Sequence, residues 1–157
     1  MQTKYISPFI NATIETMETM LGVSTERLSP FIKDGDSATG DISGIIGFTG
    51  ERISGSISLC FPFQAALKSY ELMVAEKVSR VTEEVQDSVG ELINIVAGYA
   101  KKDFDAIDVT FNISLPFVIV GQNHSVTRKT GTPTIVMPFS SSEGVHFTLE
   151  ISIIETK

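Results

Sequence analysis

The chain has 157 residues, of which 42% are hydrophobic and 20% charged, with a net charge of -7. That length suits one domain, 1–157, with a sizeable core, and the mean hydropathy of +0.18 excludes intrinsic disorder as the main state. The acidic balance argues against nucleic-acid binding by phosphate neutralisation.

No run approaches the roughly 18 apolar residues of a membrane span, and the first ten residues lack the pattern of a signal peptide. Cys60 is the only cysteine, which excludes an internal disulfide and a multi-cysteine zinc site. The expected compartment is cytoplasmic, with neither a membrane nor a nucleic acid as partner.

In chain order, Ser7 and Pro8 read as the N-cap and first residue of a helix over 7–21. Ile10, Ile14, Met17 and Leu21 recur at helical spacing, and Gly22 is the stop. Residues 24–41 read as a long loop with one short strand near 28–33. Two strands follow, 41–49 and 52–61, joined at Gly50-Glu51 as a hairpin. Ser54, Ser56 and Ser58 alternate with Ile53, Gly55, Ile57 and Leu59, which predicts one buried face and one wet face.

Pro62 opens a short helix over 63–74. A second long helix spans 82–102, capped by Thr82, with Glu83 and Glu84 in its first turn and Lys101 and Lys102 in its last. Strands are expected at 109–120, with Pro116 marking a bulge or an edge, at about 125–129, at 134–139 and at 145–154, the last two joined by a turn over 140–144. The fold class is α+β: two long amphipathic helices packed on a largely antiparallel sheet, in two helix-then-strands halves that hint at duplication.

The second long helix is the place to look for chemistry. Val81, Val85, Val89, Leu92, Ile93, Val96, Tyr99 and Ala100 fall on one arc, the core stripe. Asp87, Glu91 and Asn94, at i, i+4 and i+7, stack on the opposite ridge, and Gly98 continues it without a side chain. A solvated polar face is the ordinary meaning of such a ridge. Against it stand Asn94, a poor mid-helix residue, and Gly90 and Gly98, each weakening a helix by about 1 kcal/mol relative to alanine. Three such residues near one face suggest stability traded for a contact.

The stretch Asp87-Ser88-Val89-Gly90-Glu91-Leu92-Ile93-Asn94-Ile95-Val96-Ala97-Gly98 resembles the signature helix of the CheC/CheX/FliY family of chemotaxis phosphatases. Residues 41–50 and 55–59 resemble that family's hairpin, and the likeness runs from about Phe9 to Ile154. The first helix reads Glu15-Thr16-Met17-Glu18 and lacks the asparagine, so the chain is similar to the CheX branch, with one active helix.

The resemblance implies a phosphatase acting on the aspartyl phosphate of a CheY-like response regulator. Asn94 would orient the attacking water and Glu91 would pair with the receiver's lysine. Asp87 would assist docking, and Gly98 would permit close approach. It implies no metal or cofactor in this chain, Mg2+ on the partner receiver, and a homodimer joined through sheet edges. The alternative is a non-catalytic module on the same fold, docking a receiver or forming a structural dimer.

The remaining candidates point elsewhere. His124 and His146 are not at metal-ligand spacing and read as loop or surface residues. Cys60, in an apolar run, reads as a small core residue. Phe61, Phe63, Phe111, Phe117, Phe139 and Phe147 read as core. The scattered glycines fit neither a Walker nor a dinucleotide pattern.

Overall fold

Ile42, Gly44, Ile46 and Phe48 point to one side of their strand, and Ser43, Ile45 and Gly47 to the other. In the computed structural model, which describes residues 3–35, 38–128 and 132–156, the first set lies under three helices. These are α1 (Thr3–Leu21), α2 (Phe63–Val74) and α3 (Glu83–Asp105). The strands are β1 (Thr25–Arg27), β2 (Phe31–Ile32), β3 (Ile42–Gly50), β4 (Ile53–Phe61), β5 (Phe111–Ile113), β6 (Phe117–Val120), β7 (Thr134–Ser141) and β8 (Phe147–Glu155).

All strand pairs among the described residues are antiparallel, in the order β1-β7-β8-β4-β3-β5, with β2 also on β7 and β6 also on β3. That order is palindromic. The two long hairpins meet at β4 and β8, and each half places its short strands on the hairpin of the other half. The duplication suggested by the helix-then-strands order is therefore built into the sheet.

Helix α1 begins at Thr3, a turn before the expected start, so Ser7 is no N-cap and Pro8 lies inside the helix. Packing overrides the proline signal here. Tyr5 and Ile6 are buried, and the Tyr5 ring stacks on Phe104 at 6.4 Å. Phe104 also meets Phe9 and Phe111, and α3 continues to Asp105 to deliver it, beyond the expected end at 102. Gly22 stops α1 with φ +68, and its N–H donates to the Glu18 carbonyl. Helix α2 has the predicted bounds.

Four strand expectations change. The segment near 28–33 holds β2, and β1 precedes it. Glu51 and Arg52, not Gly50-Glu51, turn the hairpin, because Thr49 pairs with Ser54. The strand expected over 109–120 is two edge strands broken at Ser114-Leu115-Pro116, since proline has no N–H for the β3 ladder. The strand expected at 125–129 is absent from the described part. Ser125 makes an isolated bridge, 126–128 are irregular, and Lys129 lies outside the described residues.

Gly44 lets α3 rest on the sheet. A Cβ there would lie 3.0 Å from both the Val89 carbonyl oxygen and its Cγ1. Gly44→Val is therefore expected to push α3 off β3 and destabilise the chain by about 1–3 kcal/mol, measured by urea unfolding.

The serine face is not wet throughout. Lys33, Thr39, His124 and Arg128 reach onto it from flanking segments, and Ser58 is buried there. At its centre Glu150 is 1% exposed and takes Lys33 Nζ at 2.8 Å and Arg128 Nη2 at 3.2 Å on Oε1. Thr39 donates its hydroxyl and its N–H to Oε2. Burial alone would raise the Glu150 pKa, but the Lys33 hydrogen bond and charge, Thr39 and the Arg128 charge outweigh it and hold the carboxyl below its usual range.

A group with a depressed folded pKa stabilises the fold above its unfolded pKa, and that contribution is lost as pH falls through the folded value. Urea midpoints are therefore expected to drop from about pH 4 downward, with a shallower acid limb in Glu150→Gln.

Cys60 is buried as expected, but in this polar cluster rather than among the apolar side chains under the helices. Its thiol lies 3.2 Å from Ser43 Oγ and 3.4 Å from Glu150 Oε2. Burial, then the Glu150 charge, push the thiol up to about 11, so it is a poor nucleophile. His124 is held between Ser43 Oγ at 2.8 Å and the Gly121 carbonyl at 2.7 Å, whereas His146 is exposed. With Nδ1–H donating to that carbonyl, Nε2 accepts from Ser43. Ser43 is fully buried, so the pair is structural.

Candidate active-site ridge on the third helix

The sequence of α3 fixes both its ends and its roll. Thr82 Oγ1 accepts the Val85 N–H at 3.3 Å, and Glu83 and Glu84 sit where the helix dipole favours anions. Val85, Val89, Leu92, Ile93, Val96 and Ala100 are fully buried. Tyr99 is half-buried, and Val81, also half-buried, precedes the helix. This core stripe leaves Asp87, Glu91 and Gly98 exposed and Asn94 half-buried. The four expected residues share one face over ~16 Å of helix axis.

The ridge carries no internal partners. Among the described residues, neither Asp87 nor Glu91 forms an ion pair, and the ion pairs present involve Glu150 and Glu71. The Asn94 carboxamide likewise makes no side-chain hydrogen bond in the described part. It thus presents an acceptor oxygen and two donors to whatever approaches.

The two helix glycines have different causes. Gly90 is buried, and a Cβ on it would lie 3.3 Å from Val118 Cγ2, so it serves the packing of β6 against α3. It does not belong to the exposed face, contrary to the sequence reading. At Gly98 an added Cβ meets nothing within 4 Å, and its φ is not in the left-handed region. Neither packing nor backbone conformation calls for glycine at that position.

The equivalent run on α1, Glu15 to Glu18, ends in a second carboxylate and presents no carboxamide there. The described residues hold no cluster of three or more His, Cys, Asp or Glu side chains suited to a metal ion. Phe117, expected in the core, is 54% exposed on the β6 edge, with Leu115 at 87% beside it. No helix of the described residues is long and apolar enough to cross a membrane.

The family model described as "Chemotaxis phosphatase CheX" matches residues 42–140, which take in the whole ridge. The chain belongs to the CheX family. Several solved structures share its fold over nearly the full length. A CheC-like superfamily protein from Shewanella sp. PV-4 is 34% identical with a TM-score of 0.89, over 98% of this chain and 99% of the other. Chemotaxis protein CheX from Vibrio vulnificus is 33% identical with a TM-score of 0.87, over 97% and 100%. The Borrelia burgdorferi protein in a CheX-CheY-BeF3-Mg2+ complex is 29% identical with a TM-score of 0.79, over 95% and 97%. The comparison with curated proteins gives no match.

Within this CheX-family chain, sequence reading located the ridge but missed the buried Lys33-Glu150-Arg128 cluster. The available signal was Glu150 itself, a carboxylate in the middle of an apolar strand.

Proposed function

We propose that this CheX-family chain hydrolyses the aspartyl phosphate of a CheY-like receiver domain, with α3 as the inserted element. The observation that carries the reading is a carboxylate and a carboxamide on one face, without side-chain partners among the described residues, followed by a glycine that the fold itself does not need. The phosphatase description of the family and the CheY complex of the Borrelia relative support it. Beryllofluoride on a carboxylate mimics a phosphoryl group.

An acyl phosphate is already activated, and the receiver supplies the Mg2+. This chain has to place a water in line. The water oxygen bonds to phosphorus as the bond from phosphorus to the aspartyl oxygen breaks, giving the free carboxylate and inorganic phosphate. The Asn94 oxygen accepts a hydrogen bond from that water, which fixes its direction of attack. The Glu91 carboxylate pairs with the receiver lysine beside the phosphate and sets the register. Asp87 adds to docking, and Gly98 lets the receiver backbone come close.

A second copy covers the β6 edge in this account. Among the described residues strand β6 pairs only with β3, and its Phe117 and the preceding Leu115 are exposed apolar side chains. Two β6 strands pairing across a two-fold axis would give a homodimer. Light scattering is expected to give twice the chain mass, and Phe117→Asp to give the monomer mass. The receiver substrate places the protein in the cytoplasm.

The test is loss of phosphate from a panel of phosphorylated stand-alone receiver domains, with the chain substoichiometric. At least one receiver is expected to lose phosphate faster, through many turnovers. Binding without faster loss would make the chain a docking module. Gly98→Ala gives a separate check. It should raise thermal stability by up to about 1 kcal/mol while lowering turnover, whereas a merely solvated ridge predicts the gain without the loss.

A further inference from the structure

Val120 is an anomaly of the sheet. It pairs with the fully buried Ile42 and points toward the helices, yet it is 40% exposed. Two residues earlier, Val118 is covered by α3 because Gly90 admits it. At Val120 no helix of the described residues closes over the strand, and α3 presents polar Gln86 there. The result is an open groove of about 370 Å³. Phe63, Leu67, Val81 and Val120 contribute its apolar lining, with Gln86 and Arg80 among its polar residues.

The groove and the ridge share one helix. Gln86 lines the groove, and Asp87, the next residue, begins the ridge. A body that straddles α3 tightly enough to bring a phosphoryl group to Asn94 overhangs this side of the helix as well.

We infer that the groove receives an apolar side chain carried on a loop beside the phosphorylated carboxylate of the docked receiver, and so sets which receivers are bound. The inference rests on the receiver-phosphatase reading. It adds an anchor outside the reacting groups: the ridge meets features that every receiver shares, whereas the groove meets a side chain that differs among receivers. Buried apolar anchors of this kind dominate interface energies while flanking polar contacts contribute little.

The test uses the receiver that the wild-type chain dephosphorylates fastest, loaded with beryllofluoride and Mg2+, and measures Kd by calorimetry and kcat and KM on the phosphorylated form. Val120→Asp and the milder Val120→Ser are expected to raise Kd and KM, Val120→Asp by about tenfold or more. kcat should stay within twofold, and Val120→Ile near wild type. Light scattering and thermal unfolding of each variant separate this from loss of dimer or fold.

Unchanged Kd and KM in Val120→Asp, with wild type active, would overturn the groove and leave the phosphatase reading standing. Absence of both binding and turnover in wild type would overturn both. An equal fall in kcat and kcat/KM would also overturn the groove, since it would assign Val120 to the chemical step.

Discussion

Asn94→Ala is expected to lower kcat for phosphoreceiver hydrolysis roughly 100-fold or more, the scale of losing the alignment of a reacting group, while KM changes little. Single-turnover phosphate loss with the variant in excess measures this directly. The substitution favours the helix by a few tenths of a kcal/mol, so a fall in rate cannot be ascribed to unfolding. Asn94→Gln keeps the amide but moves it outward by about one bond, which is also expected to be costly because displacements near 1 Å can cost 100-fold. Asn94→Asp places a negative charge against the phosphate and is expected to abolish turnover. Glu91→Ala should instead raise KM, since the Glu91 carboxylate has no ion pair among the described residues and is assigned to docking.

Glu150→Gln is expected to destabilise the chain by about 3–5 kcal/mol, because it removes one partner of a buried ion cluster and leaves the others uncompensated. Lys33 and Arg128 side chains are only 4% and 11% exposed, so little water is available to replace the carboxylate. Against a typical total stability of about 5–15 kcal/mol that loss is large. Lys33 and Arg128 tie the segments that carry them to the sheet, and Cys60 lies beside Glu150. The variant should therefore react faster with a thiol reagent at neutral pH, where the native thiol is held protonated. Replacing Lys33, Glu150 and Arg128 together with apolar residues of similar volume should recover much of the stability, as apolar substitutes for buried ion clusters commonly do.

Features written in local pattern were legible before the structure. The bounds of α2 and the Thr82 cap follow from periodicity and capping chemistry, and the structure reproduces them. The ridge was legible for the same reason, because one helix carries all four residues and 100° steps place them together.

What failed was set by tertiary contacts. Pro8 marked a helix start by local preference, but the burial of Tyr5 and Ile6 added a turn before it. Gly90 looked like a concession to a partner until Val118 was found against it. The face opposite the helices was illegible because Lys33, Arg128 and Glu150 are far apart in the chain and converge only when two irregular segments fold over the sheet. Phe117 looked like core because its exposure depends on β6 being an edge, and edge position is a property of the whole sheet.

The central claim is that the Asn94 carboxamide reaches the receiver's phosphoryl site. It is tested most directly by loading a beryllofluoride-treated receiver with Mn2+ in place of Mg2+, both being six-coordinate oxygen-bound ions. The Asn94 side-chain amide and the backbone amide resonances of the isotopically labelled chain are then recorded in the complex. The account predicts that the Asn94 amide is broadened most, with neighbours along Asp87, Glu91 and Gly98 following. The α1 positions Glu15 and Glu18 should stay sharp, and the effect should vanish in the Mg2+ complex. Broadening centred on α1 or on the β6 edge, with Asn94 unaffected, would contradict it.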